Sequence, residues 1–356
     1  TRTMKTRVCR LHAERDLRIE EIEVAEPGPG EVLVAMGAGG ICGSDLHYYQ
    51  DGGFGPIRVK EPIILGHEVA GTVRAVGSGV SPPAVGDRIA INPSRPCGEC
   101  RYCRQSLQQH CLNMRFLGSA MRFPHEQGGF RDLMVVPAMQ CERIENNDIT
   151  LGEAACAEPL AVCLHARARA RQAAGDLSGK RVLVTGAGPI GALMVAVLRN
   201  AGAGHILVTD LQDQALAVAA RMGAHETINV RTDAERLEPH AADKGTFDLA
   251  FECSAAAPAI RSAAAVLKPQ GTLVAVGVSG EIPVPLNVIV GKELCFLGTH
   301  RFVDEYAEAV RLIDRREIDV RPVISEQVDL ENARSAFELA GDRTQAVKVQ
   351  LTFNAS

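Results

Sequence analysis

The chain has no run of about 18 uninterrupted apolar residues, so no segment is a candidate for a membrane-crossing helix. No apolar signal segment follows Thr1-Arg2-Thr3-Met4-Lys5, and Met4 reads as a natural start. A surplus of charge of one sign is also missing. With a net charge of −5 and 23% charged residues, there is no electrostatic reason to expect nucleic acid or a membrane surface as partner. Internal repeats and low-complexity tracts are absent, which excludes solenoids and extended disordered arrays. Eleven cysteines without a secretion signal point away from a disulfide framework. They suggest metal ligands and buried thiols in the reducing cytoplasm.

What is present is an ordinary globular composition, 46% hydrophobic, in 356 residues, too long for one core and therefore expected to form two domains. From Met4 to about Val136, short apolar runs are divided by Gly, Pro and Asp, as in Glu31 to Met36 and Gly71 to Gly77. These predict short strands of an irregular barrel rather than helices. Near Leu151 the texture changes. An Ala-rich helical stretch from Glu153 to Arg171 precedes strand patterns at Lys180 to Thr185, His205 to Asp210, Phe247 to Glu252 and Gly271 to Gly277, with Ala- and Leu-rich helices between. Such alternation predicts a doubly wound parallel sheet, hence an α/β fold. Beyond about Leu297 the pattern predicts a helix from Asp304 to Ile313, a strand near Val320 to Ile324, a helix from Leu330 to Ala340 and a closing strand from Ala346 to Leu351. The expected division is 1–152, 153–296 and a return segment, 297–356, that completes the first domain.

Two stretches carry metal-ligand chemistry. Cys97, Cys100, Cys103 and Cys111 form a C-x₂-C-x₂-C-x₇-C cluster, suited to a closed tetrahedral structural zinc, with an iron–sulfur cluster as the competing occupant. Cys42, His67 and Glu68 offer a thiolate, an imidazole and a carboxylate, and a catalytic zinc needs three protein ligands and one open position. Taken alone, Cys42 and His67 could equally be a buried thiol and a satisfied core imidazole. Glu158, a carboxylate within Ala- and Leu-rich sequence, shifts the balance, because a metal would relieve the cost of burying it.

Gly186-Ala187-Gly188-Pro189-Ile190-Gly191 lies between a strand and an apolar helix, as a turn that cradles a dinucleotide pyrophosphate requires. Asp210 ends the next strand, where a carboxylate can bind both ribose hydroxyls; a helix cap is its plainer alternative. No Arg follows among Leu211, Gln212 and Asp213, so NAD is expected over NADP, and FAD is a weaker alternative.

On Gly40-Ile41-Cys42-Gly43-Ser44-Asp45, Gly66-His67-Glu68, the four-cysteine loop, Glu158-Pro159-Leu160 and the glycine turn, the chain resembles the zinc-dependent medium-chain alcohol/polyol dehydrogenases along nearly its whole length. That resemblance implies a GroES-like irregular β-barrel catalytic domain beside a Rossmann domain, one catalytic and one structural zinc, and a homodimer or homotetramer. Glu158-Pro159-Leu160 and His47-Tyr48 look like the sorbitol dehydrogenase branch. Ile91 to Ser94, Met114 to Phe116, Gly118 to Met121, Phe123 to His125, Gly128 to Phe130, Arg301-Phe302 and Gly341 to Ala346 look more like the bacterial L-idonate 5-dehydrogenase branch. The implied reaction is oxidation of L-idonate at its C5 hydroxyl to 5-keto-D-gluconate with NAD(P)⁺, at a zinc that stabilises the alkoxide.

The resemblance implies that Ser44 takes the hydroxyl proton and His47 passes it outward, although each has a plain loop reading. Glu68 and Glu158 are expected at the metal directly or through water. Gly277, Val278, His300 and Arg301 are expected to line the cofactor pocket. Tyr48 is expected against the substrate, and Arg122, His125 and Arg301 are candidates to hold its carboxylate. The remaining cysteines, Cys9, Cys141, Cys156, Cys163, Cys253 and Cys295, read as buried small residues. Competing readings are a sorbitol- or xylitol-type polyol dehydrogenase and a catalytically silent binding protein on the same fold.

Overall fold

The computed structural model describes residues 3–354, leaving Thr1, Arg2, Ala355 and Ser356 outside the described residues. Two β systems carry the architecture. The first is a mixed sheet in the order Cys141–Ile144, Arg88–Ile91, Glu68–Val76, Glu31–Gly40, Lys348–Thr352 and Ile324–Asp329, with Leu133–Pro137 also pairing with Glu31–Gly40. A smaller antiparallel sheet of Asp16–Ala25, Thr3–Ala13 and Ile63–Ile64 lies beside it. The second system is a six-stranded, all-parallel sheet in the order Glu226–Asn229, His205–Asp210, Arg181–Thr185, Phe247–Glu252, Leu267–Ala275, Cys295–Gly298. That is the doubly wound Rossmann order, whose strand order reverses beside Arg181–Thr185 and opens a crevice there.

Several elements differ from what the pattern predicts. Gly43–Asp51 is an α-helix inside the region read as short strands. Asp45 accounts for it, because its Oδ2 accepts from the Cys42 amide at 2.9 Å and secures the first turn. The long Ala-rich helix divides at Cys156 into Leu151–Ala155 and Ala157–Ala174. The strand expected near Val320 lies later, at Ile324–Asp329, after a 3₁₀ turn at Arg321–Val323 led by Pro322. Cys141, Cys253 and Cys295 keep partial exposure, unlike the fully covered Cys9, Cys156 and Cys163.

The C-terminal stretch is built into the first sheet. Lys348–Thr352 pairs antiparallel with Glu31–Gly40, setting Gln350 opposite Gly40, and the Ile41 amide donates to the Val349 carbonyl at 3.0 Å. Helix Ala333–Gly341 buries Phe337 with no solvent exposure. Its ring lies 5.2 Å from Tyr49 and 6.2 Å from Phe130, so one aromatic pins the last helix to the helix that carries Ser44 and His47. Phe337→Ala is expected to cost about 3–5 kcal/mol. Chemical denaturation would measure this, and a loss under about 1 kcal/mol would show that the contact does not hold the segment in place.

Candidate functional site: a buried donor cluster facing a dinucleotide turn

Strand pairing brings the first group of candidate ligands together. Glu68 begins its strand opposite Gly40, two residues before Cys42. A Cβ on Gly40 would run into the Glu68 carboxylate, so glycine leaves that side chain its space. Ligand atoms of Cys42, His67 and Glu68 all lie within 4.8 Å of one another. Glu158, in the first turn of Ala157–Ala174, borders the trio, with its Oε2 3.8 Å from His67 Nε2. On the other side of the imidazole, Asp45 Oδ1 lies 3.7 Å from Nδ1.

The electrostatics of this pocket are lopsided. Asp45, Glu68 and Glu158 are at most 5% exposed. Among the described residues, Asp45 Oδ1, Glu68 Oε2 and Glu158 Oε2 have no hydrogen-bond partner. Burial, resisted by His67, pushes Glu158 up to about 8. Burial and then Glu68 push the Cys42 thiol up to about 12. Burial raises the Asp45 pKa as well. One buried cation answers them: Lys348 Nζ lies 2.8 Å from Glu68 Oε1 and donates to the Ile41 carbonyl at 2.9 Å. Burial alone would lower the lysine's pKa, but Glu68 and Cys42 outweigh it and hold it above the ordinary value. Orphaned buried oxygens around a thiol and an imidazole are what a bound divalent cation would satisfy, and the donor types suit zinc. Asp45 then stands where a carboxylate fixes the orientation of a ligating histidine.

The second cluster is separate. Ligand atoms of Cys97, Cys100, Cys103 and Cys111 lie within 4.8 Å of one another, and all four cysteines are free. Amides point at the sulfurs: Cys100 N donates to Cys97 Sγ at 3.3 Å, and Cys97 N and Asn113 N donate to Cys111 Sγ at 3.2 and 3.3 Å. Amide hydrogen bonds from Cys103 and Leu112 bring Cys100 down to about 6. The contacts on Cys97 and Cys100 favour their thiolates, the form that binds a metal, whereas burial pushes the Cys103 thiol up to about 12.

The glycine turn forms at the mouth of the parallel sheet. Gly186 has φ +88° and packs against the backbone of Cys253 and Ser254. A Cβ on Gly191 would strike the Gly186 carbonyl, so this approach excludes any side chain. Gly188 caps helix Pro189–Asn200, with Pro189 and Ile190 in its first turn. Asp210 Oδ2 accepts from Ala187 N at 2.6 Å, and its Oδ1 accepts from Leu211 N and Gln212 N at 2.7 and 2.9 Å. The carboxylate thereby ties the second strand end to the turn. At the next strand end, buried Glu252 accepts from Thr185 Oγ1, Ser254 N and Ala255 N at 2.8 to 3.1 Å. A Cβ on Gly277 would lie 2.6 Å from Ala255 N, and Val278 beyond it is 70% exposed.

The other candidates fall around the cleft. Ser44 and His47 share a helix; His47 is half exposed, with Nδ1 3.5 Å from Asp51. Tyr48 is buried, and its hydroxyl accepts from Ala120 N at 3.1 Å. His300 stacks on His110 at 5.6 Å, and burial, with Arg301 beside it, brings it down to about 4. Arg301 holds its guanidinium 3.8 Å above the Phe116 ring, which itself lies 5.5 Å from the His67 ring. Arg122 is exposed. His125 has no ring nitrogen to spare: Nδ1 donates to the Arg122 carbonyl at 2.7 Å and Nε2 accepts from Lys60 N at 2.9 Å. Sequence reasoning gave Asp45 and Lys348 no part in the site. The Cys42-to-Asp45 spacing of a capping residue is a signal for the first, while nothing local marks the second.

Comparison with known proteins agrees with this arrangement. Residues 28–146 match the alcohol dehydrogenase GroES-like domain, and residues 189–315 match the zinc-binding dehydrogenase domain. The chain is 38% identical to L-idonate 5-dehydrogenase (NAD(P)(+)) of Escherichia coli strain K12, over 98% of this chain and 99% of that one. It is 35% identical to sorbitol dehydrogenase of Bacillus subtilis strain 168, over 93% and 92% of the two chains. The crystal structure of the E. coli L-idonate 5-dehydrogenase superposes with a TM-score of 0.93, covering 99% of each chain. With a GroES-like sheet, a buried thiol–imidazole–carboxylate pocket and a Rossmann sheet in one molecule, this chain belongs to the zinc-dependent alcohol/polyol dehydrogenases of the medium-chain family.

Proposed function

We propose that this dehydrogenase oxidises a secondary alcohol of a sugar acid with NAD(P)⁺ as hydride acceptor, most specifically L-idonate at C5 to 5-keto-D-gluconate. The observation that carries the acid over a neutral polyol is Arg301. Its guanidinium sits by the donor cluster, close enough for Glu158, Tyr48 and Cys42 to act on its pKa, which burial holds below the ordinary value. It forms no salt bridge among the described residues; its hydrogen bond goes to Met121 Sδ at 3.1 Å. A partly desolvated guanidinium without a carboxylate is suited to accept one from a ligand.

Zinc, when bound, supplies a Lewis acid that stabilises charge on the substrate oxygen, and the nicotinamide supplies the hydride acceptor. Cys42, His67, Glu68 and Glu158 are the groups to hold that ion, with the four cysteines of the 97–111 loop holding a second. Asp45 keeps the His67 ring oriented, while Lys348 compensates the charge of Glu68. Ser44 accepts the proton of the substrate hydroxyl. His47 lies one turn further along the same helix face, where its half-exposed ring hands the proton to solvent. Gly186, Gly188 and Gly191 leave room for the pyrophosphate, and the Asp210 side chain at the end of the second strand disfavours a 2′-phosphate, so NAD is preferred. Gly277, Val278 and His300 border the nicotinamide. A dimer or larger homo-oligomer fits the open edge strand Cys295–Gly298, near which Leu286, Val290 and Phe296 remain exposed.

Cys42→Ser is expected to abolish turnover and halve bound zinc while leaving the melting temperature of the rest of the fold. Cys100→Ser is expected to lose the other zinc and lower that temperature. Equal unfolding in both variants, followed by circular dichroism and metal analysis, would contradict separate catalytic and structural ions. Initial rates with L-idonate and sorbitol test the substrate. Arg301→Ala is expected to raise KM for L-idonate by about tenfold or more, the size of a charge-assisted hydrogen bond, and to spare any turnover of sorbitol. Comparable rates on sorbitol and none on idonate would replace the acid with a neutral polyol.

A further inference from the structure

The Arg301 guanidinium donates from Nη2 to Met121 Sδ at 3.1 Å. A thioether is a weak acceptor, so this contact parks the guanidinium without satisfying it. Both partners are held in place. Arg301 adopts a left-handed backbone, with φ +50°, and lies 3.8 Å over the Phe116 ring. On the other side, the Met121 amide donates to Ser119 Oγ at 3.2 Å, and the preceding Ala120 amide donates to the Tyr48 hydroxyl at 3.1 Å. The sulfur therefore stands at a fixed place beside the guanidinium that receives the substrate carboxylate.

Exposure sets this methionine apart. Of the eight methionines, Met36, Met134, Met194 and Met222 are buried, whereas Met121 is 55% exposed. Met139 is more exposed still, but it lies on the 3₁₀ turn Ala138–Gln140, which carries none of the site's residues. Hydroperoxides in solvent reach such sulfurs readily and convert them to sulfoxides. A sulfur lone pair attacks the terminal oxygen of the hydroperoxide and the O–O bond breaks. The proton of that oxygen passes to the leaving oxygen, which departs as water or an alcohol, so the sulfur is oxidised and the peroxide reduced. The new oxygen is a polar acceptor where the thioether was a weak one. Next to a guanidinium that lacks a carboxylate, it gains a charge-assisted hydrogen bond.

We propose that Met121 is a redox modification site, at which a hydroperoxide makes a sulfoxide that engages Arg301 and withholds it from the substrate carboxylate. This rests on the reading of Arg301 as the receiver of that carboxylate. The consequence is a dehydrogenase that loosens its grip on an acid under oxidising conditions, through a residue that is no metal ligand, and regains it once the sulfoxide is reduced.

The test is steady-state kinetics of the full chain after brief hydrogen peroxide treatment, quenched with catalase, with peptide mass spectrometry to follow each methionine. KM for L-idonate is expected to rise about fivefold as Met121 sulfoxide accumulates, the size of one hydrogen bond. Losses in kcat, or in any turnover of sorbitol, are expected to be no larger than in treated Met121→Leu. Met139→Leu is expected to keep the rise in KM, and Met121→Leu to lack it. Untreated Met121→Gln, whose amide oxygen imitates the sulfoxide, is expected to show the raised KM, and a methionine sulfoxide reductase to restore the treated wild type. A rise that persists in Met121→Leu would place the loss on thiols or other sulfurs and overturn the proposal. So would Met121 staying reduced while Met139 oxidises, or a KM indifferent to complete Met121 oxidation. Arg301→Ala separates the two readings. If it raises KM and the sulfoxide does not, Met121 alone is rejected. A KM untouched by Arg301→Ala, or no turnover of L-idonate, removes the carboxylate reading and this proposal with it.

Discussion

An excess of buried negative and electron-pair-donating groups over buried positive charge governs this structure. Asp45, Glu68 and Glu158, with the Cys42 thiol, share a water-poor pocket in which Lys348 is the one fully buried ammonium among the described residues. Burying an ionised carboxylate costs several kcal/mol unless something compensates it, so such a pocket in a bare protein is a liability. The chain accepts it because the surrounding sheets fix every member in place. Gly40 yields space, strand pairing sets Cys42 beside Lys348, and the end of helix Ala157–Ala174 delivers Glu158. A bound divalent cation would turn the liability into affinity. The fold therefore works as a rigid frame around an unbalanced charge.

The same logic shapes the cleft. Arg301 and Arg343 both come from sequence beyond the parallel sheet's last strand, and neither forms a carboxylate salt bridge among the described residues. One lies by the donor cluster and the other rests against Gly188 of the glycine turn. Beside Arg301, His300 stacks on His110, and burial lowers the His300 pKa to about 4, which keeps that ring from adding a competing charge.

Much of this was legible in the sequence, for identifiable reasons. The parallel sheet was, because each of its main strands is a buried apolar run between helix-forming segments, and because Gly186 and Gly191 occupy places no other residue could. Edge strands Glu226–Asn229 and Cys295–Gly298 were not, since each is four residues long and too short to show a period. In the pocket, Cys42, His67 and Glu68 stood out by chemical type. Lys348 did not, because a lysine in a terminal strand looks like any solvated charge until Ile41 and Glu68 fold around it. The absence of Arg after Asp210 was read correctly as a local fact, but Arg343 reaches the turn from a distant segment, and no window of sequence contains both.

The pairing of Lys348–Thr352 with Glu31–Gly40 also fixes when the molecule can become active. During synthesis the N-terminal strands leave the ribosome long before this neighbour exists, so the Ala38–Gly40 end of the central strand must wait with that edge unpaired. The ammonium that balances Glu68 arrives only with that final strand. A nascent chain therefore holds Cys42, His67 and Glu68 in an unfinished pocket until the strand that carries Lys348 has been made, and premature oxidation of the thiol is a hazard set by topology rather than by composition.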